Sequence, residues 1–106
     1  MADASAALRQ AITLDPRFAA PHLNLGRAQR DQALSAKGNG AEARRFWAGA
    51  AASYRRAIEL DAKSAAAYGG LGEALMWLGE SAEAAAAKEQ AARLLAEQSG
   101  RTTDNR

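Results

Sequence analysis

Apolar residues recur along this chain at spacings of three and four, the signature of amphipathic helices rather than of strands. Ala4, Ala7, Leu8, Ala11, Ile12 and Leu14 form a first short stripe. Asp15-Pro16 closes it, because Pro cannot continue a helix and turns the residue before it away from α. A helix over about 4–14 follows. A second, over about 18–36, carries Leu23, Leu25, Gly26, Ala28 and Leu34, with Pro21 in its first turn, where a missing N–H costs nothing. Lys37-Gly38-Asn39-Gly40 is the strongest turn signal in the sequence.

A third helix spans about 41–61. Phe46, Trp47, Ala50, Ala51, Tyr54, Ala57 and Ile58 lie on one side, and Arg44, Arg45, Arg55, Arg56 and Glu59 on the other. A fourth spans about 64–78, with Ser64 as N-cap and Gly79 as the left-handed residue past its end. A fifth spans about 81–98, with Glu83 in its first turn and Gly100 as its stop. The reading is one helical domain over 1–98 and a flexible polar tail over 99–106.

Composition agrees. Of 106 residues 30 are Ala, the best helix former, and none is Val. Charge decides little: an excess of two positive charges sets up no strong field, so nucleic acid is an unfavoured partner. With no Cys and a single His, His22, disulfides, thiolate zinc sites and Cys nucleophiles are excluded. No Ser/His/Asp set finds a second supporting element, so no enzyme, cofactor or metal is expected. No apolar run of membrane length and no basic-apolar leader is visible, which points to a cytoplasmic protein without membrane contact.

The chain repeats itself. Leu8-Arg9-Gln10-Ala11-Ile12-Thr13-Leu14-Asp15 matches Tyr54-Arg55-Arg56-Ala57-Ile58-Glu59-Leu60-Asp61 at a spacing of 46. Leu25-Gly26 matches Leu71-Gly72 at the same spacing, each preceded by a ring residue, His22 or Tyr68.

This unit resembles the tetratricopeptide repeat. Tyr68, Leu71, Gly72, Leu75, Gly79, Ala84 and Ala91 carry the likeness in the last unit. His22, Leu25, Gly26, Ala50, Tyr54, Ala57, Leu60 and Asp61 carry it in the middle one, and a leading half-unit gives Leu8, Ala11, Leu14, Asp15 and Pro16. The resemblance covers about residues 4–95. It implies an all-α, right-handed solenoid of antiparallel helix pairs, about five helices long. Small residues at Gly26, Gly72 and the matched alanines would let paired helices approach closely.

Three departures shape the expectations. Gly26 to Ala50 is 24 residues and Gly72 to Ala84 is 12, so the middle unit is longer by 12. Six residues on each of two helices would lengthen that hairpin by roughly 9 Å. Lys88 stands where the family places an aromatic, marking a solvent-facing last helix. The first unit lacks its first helix, which leaves the flank of residues 4–14 open. That flank calls for a longer array or a second copy.

In this family the first helices of the units line a concave groove. Leu23, Asn24, Arg27 and Arg30 would face it from one helix, and Gly69, Gly70, Glu73, Met76 and Trp77 from the other. Gly69-Gly70 would leave bare backbone for a ligand chain. Trp77 is either an anchor for a partner or a packing residue against a neighbouring helix or the long hairpin. Asn24 and Arg27 fit part of a carboxylate-gripping groove known in some family members, but Leu23 and Gly70 replace the basic residues such a grip needs. The functional expectation is a non-enzymatic module binding a peptide or helix of a partner protein. The alternative is a self-assembling scaffold unit, a homo-oligomer through the first helix or the long hairpin. RNA binding through the Arg pairs ranks last.

Overall fold

The computed structural model describes the backbone of residues 4–36 and 40–103. Among them are five helices and no strand: α1 (Ala4–Leu14), α2 (Ala19–Ser35), α3 (Gly40–Leu60), α4 (Ala65–Leu78) and α5 (Ser81–Thr103). Each helix packs chiefly on its neighbours in the chain, and α2 also touches α4. No described helix is long and apolar enough to cross a membrane.

The repeat seen in the sequence is repeated in the backbone. At the end of α1, the Arg17 N–H donates to Asp15 Oδ1 (3.3 Å) and the Phe18 N–H to the Asp15 carbonyl (3.2 Å). At the end of α3, the Lys63 N–H donates to Asp61 Oδ1 (3.1 Å) and the Ser64 N–H to the Asp61 carbonyl (3.2 Å). Both turns thus use an Asp side chain to satisfy backbone that the helix has released. Ser64 then caps α4 by accepting from the Ala67 N–H (3.1 Å). Phe18 stands at the same place before α2 and forms no side-chain cap.

Gly79 takes the left-handed conformation, φ 86°, and the Gly79 and Glu80 N–H groups donate to the Met76 and Leu75 carbonyls. This is the Schellman arrangement, which satisfies the last carbonyls of α4. The end of α5 departs from expectation. The helix runs through Gly100 to Thr103 rather than stopping near 98. The reason lies in the repeat: α3 stops at Asp61, and the matching position on α5 is Leu95, which offers no turn. A lone Gly weakens a helix by about 1 kcal/mol relative to Ala and does not by itself end it. Of the expected tail, 104–106 lie outside the described residues, as does the Lys37-Gly38-Asn39 turn.

The middle hairpin is longer, but not symmetrically. By the 46-residue register α2 runs three residues beyond the end of α4. Ala50 is the eleventh residue of α3, while the matching Ala84 is the fourth of α5, so α3 gains seven. The connection over 36–39 is two residues longer than Gly79–Glu80. Three, seven and two replace the expected even split. Arg44 on α3 donates to the Leu78 carbonyl at the end of α4 (3.2 Å), so the first turn of α3 projects past α4.

The core is one cluster across α2 to α5: Ala33, Trp47, Ala50, Ala51, Tyr54, Leu71, Ala74, Leu75, Ala84 and Ala87. It is dominated by alanines, with Tyr54 and Trp47 supplying bulk. The stripe expected on α3 faces inward, and Arg44, Arg45, Arg55, Arg56 and Glu59 are exposed.

Candidate partner-binding site

The two helices expected to line a groove do lie side by side over α3. Gly26 of α2 and Gly70 of α4 both face the ring of Tyr54. Arg30 of α2 reaches Glu73 of α4, Nε to Oε1, at 2.6 Å. The two contacts advance together along both helices, so α2 and α4 run parallel. On α3, Tyr54 and Trp47 are one heptad apart. On α4, Gly70 and Trp77 are one heptad apart, and they meet the α3 pair in antiparallel order.

Tyr54 fills the middle of this furrow. A methyl group on Gly26 would come within 2.7 Å of Tyr54 Cε1, and one on Gly70 would press on Cζ of the same ring. Glycine is needed at both places because an aromatic ring takes the space a side chain would occupy. This corrects two expectations. Gly70 is not bare backbone awaiting a ligand, and Gly26 admits a ring rather than a neighbouring helix backbone. Gly69 is the open one, with no neighbouring element within 4 Å of where a Cβ would stand, and Gly72 does meet helix backbone, at the Ala84 carbonyl.

Over the ring lies the Arg30–Glu73 pair, with Asp31 on the other arm of the guanidinium at 3.2 Å. The hydrogen bond from Arg30 to Glu73, and then the charge of that carboxylate, raise the Arg30 pKa further. Burial raises the Tyr54 phenol above its ordinary value of 10.0.

At one end of the furrow Trp77 stacks on Trp47, ring centres 5.6 Å apart and planes 7° from parallel. Trp47 is 3% exposed and Trp77 60%. One face of Trp77 therefore packs on the long hairpin while the rest looks to solvent, with the exposed Met76 beside it. The packing reading of Trp77 is met by the face on Trp47, and the rest of the ring is exposed. Trp47, its partner, was assigned only to the core by its place in the α3 stripe.

At the other end the furrow is open. Phe18, Ala19, Ala20, Leu23, Ala57, Asp61 and Ser64 line a cavity of about 260 Å³. Leu23 thus sits in a pocket; Phe18 was not expected there, since it lies in a turn and no periodicity assigns it a face. Asn24 and Arg27 are exposed and bonded to each other (3.4 Å). His22 is buried, and its Nε2 bonds the Pro16 carbonyl at 3.2 Å, which ties the α1–α2 turn to α2.

No protein-family model and no curated protein matches this chain. The site therefore rests on its own chemistry. Among the described residues no group of three His, Cys, Asp or Glu side chains is placed to hold a metal ion. The Arg residues are dispersed: Arg44 serves the end of α4, Arg55 pairs with Glu83 on α5 (3.5 Å), and Arg56 with Glu59 (2.8 Å).

Proposed function

We propose that this chain is a tetratricopeptide-like module, a right-handed stack of antiparallel helix pairs, that binds a peptide or helix of a partner protein and carries out no chemistry. The observation that carries the reading is Trp77. An aromatic ring 60% exposed, yet held on one face by a buried second indole, is a preorganised anchor: it offers apolar area without first having to be ordered.

The open pocket around Leu23 and Phe18 is the second anchor point. Ser64 to Trp77 is thirteen residues along α4, so the two points lie roughly 20 Å apart. Between them Tyr54 and the Arg30–Glu73 pair close the furrow. A ligand lies across this bridge and reaches down at its two ends. Repeated Asp turns at 46-residue spacing, the paired glycines and parallel α2 and α4 support the repeat reading. A cytoplasmic setting fits it.

The test is selection of peptides from a displayed random library on the immobilised protein, followed by titration of the enriched peptides. Binding that quenches or shifts indole emission and is lost in Trp77→Ala supports the reading. If enriched peptides bind Trp77→Ala and Leu23→Glu as well as the parent, the furrow is not the site. The second reading, self-assembly, draws on a different surface, the open flank of α1.

A further inference from the structure

Three helix ends meet at the open end of the furrow: the start of α2, the last turn of α3 and the cap of α4. The cavity wall there is apolar over Phe18, Leu23 and Ala57. Phe18 is 57% exposed, so its ring is available to a ligand. One charge stands in the lining, the Asp61 carboxylate. The Ser64 hydroxyl, the other polar side chain there, is engaged in capping the Ala67 N–H.

The fold uses only part of Asp61. Its Oδ1 accepts the Lys63 N–H at 3.1 Å, which closes the turn after α3. Among the described residues its carboxylate forms no ion pair, whereas Asp31, Glu59, Glu73, Glu83 and Glu89 each meet an arginine. The cations of the two adjoining turns, Arg17 and Lys63, are exposed and stand outside the cavity lining. The matching Asp15 makes the same turn, Oδ1 to the Arg17 N–H, and lies outside this cavity. The turn accounts for an Asp at both places. At Asp61 the carboxylate also borders an apolar cavity with an exposed aromatic wall.

We propose that this cavity is a specificity pocket for one long basic side chain, Arg or Lys, of the bound partner peptide. The inference rests on the furrow reading for what presents that side chain. Charge chooses the occupant. An apolar side chain that filled the cavity would cover Asp61 and leave a carboxylate desolvated without a partner. An acidic one would be repelled. A basic one lays its methylene stem along Leu23 and Ala57 and keeps its charged head at the rim. There Asp61 accepts a charge-assisted hydrogen bond, and the Phe18 ring offers its face to the cation. The pocket and Trp77 thus ask for different residues at the two ends of one ligand, which fixes the direction in which it lies.

The probe is a phage-displayed library of short random peptides, selected in parallel on the whole chain and on its Asp61→Asn variant. Asn keeps an oxygen for the Lys63 N–H, so the turn survives, and circular dichroism checks that it does. Peptides enriched on the parent are expected to share an Arg or Lys. Replacing it with citrulline or norleucine, the uncharged counterparts, weakens binding about tenfold. Against Asp61→Asn the same replacement makes little difference. Asp15→Asn leaves both affinities unchanged, which separates the pocket from the chemistry of the turn. Enriched peptides that need Trp77 but carry no basic residue, or that bind Asp61→Asn as well as the parent, overturn the pocket and leave the furrow reading standing. Failure to enrich any peptide overturns both. A dimer of the unliganded protein that Asp61→Asn dissociates also overturns the proposal, because a second copy then supplies the cation.

Discussion

Trp77 covers Trp47: the outer indole lies parallel to the inner one at 5.6 Å, within the range of offset stacking. The two residues therefore differ in what they do for stability. Trp47→Ala leaves a large hole in the core and costs about 3–5 kcal/mol. Trp77→Ala removes the stack and part of the cover and costs about 1–2 kcal/mol. Urea unfolding followed by far-ultraviolet circular dichroism checks both. Equal losses would mean that Trp77 is a core residue and not an anchor.

Gly69 and Gly70 are adjacent and should respond oppositely to the same change. Gly70→Ala drives a methyl group into Tyr54 and costs about 1–3 kcal/mol. Gly69→Ala meets nothing and gains about 0.5–1 kcal/mol from helix propensity. Combining Gly70→Ala with Tyr54→Leu should cost less than the sum of the two, since the smaller side chain removes the clash. Additive losses would place the Tyr54 ring elsewhere.

Tyr54 also gives the fold an alkaline limit. Its phenol is raised in the folded state by burial, above an ordinary value of 10.0. Below that value the group is neutral in both states and stability is unaffected. As pH rises past it, the unfolded chain releases the proton first, so unfolding is favoured. Stability should fall above about pH 10 in the parent and fall less in Tyr54→Phe. Chemical denaturation at several pH values reads the difference between the two proteins, which cancels the other titrating groups.

Ser64 is the one described N-cap with a side-chain bond to a helix N–H. Ser64→Ala should cost about 1 kcal/mol. Because Ser64 also stands at the rim of the Leu23 pocket, ligand affinity in this variant separates the cap from the site. A change in melting with unchanged affinity is the expected pair of results.

Much of the helical plan could be read from residues alone. Asp15-Pro16, Asp61 with Ser64, and Gly79 are local signals, and each acts within a few residues of itself. The stripe on α3 is equally local, because helical periodicity alone decides which side of it is apolar. What escaped were relations between distant residues. The sequence marks Gly70 as small but says nothing of a ring arriving from α3. It marks Trp77 as off the stripe but cannot pair it with Trp47 across a hairpin. The end of α5 differs from expectation for the opposite reason: Gly100 is a local stop signal, but Leu95 stands where Asp61 provides the turn after α3.

The placement of Tyr54 has a further consequence for how the molecule comes apart. Stacked repeats of this kind can in principle fracture between units, since each unit touches only its neighbours. Here the side chain of Tyr54 on α3 lies against a glycine of α2 and a glycine of α4. Lifting α4 away bares the ring to water, and lifting α2 away does the same. Neither pair can open while the other stays whole, so melting should sweep through the middle three helices in a single step, with α1 and the end of α5 fraying ahead of it.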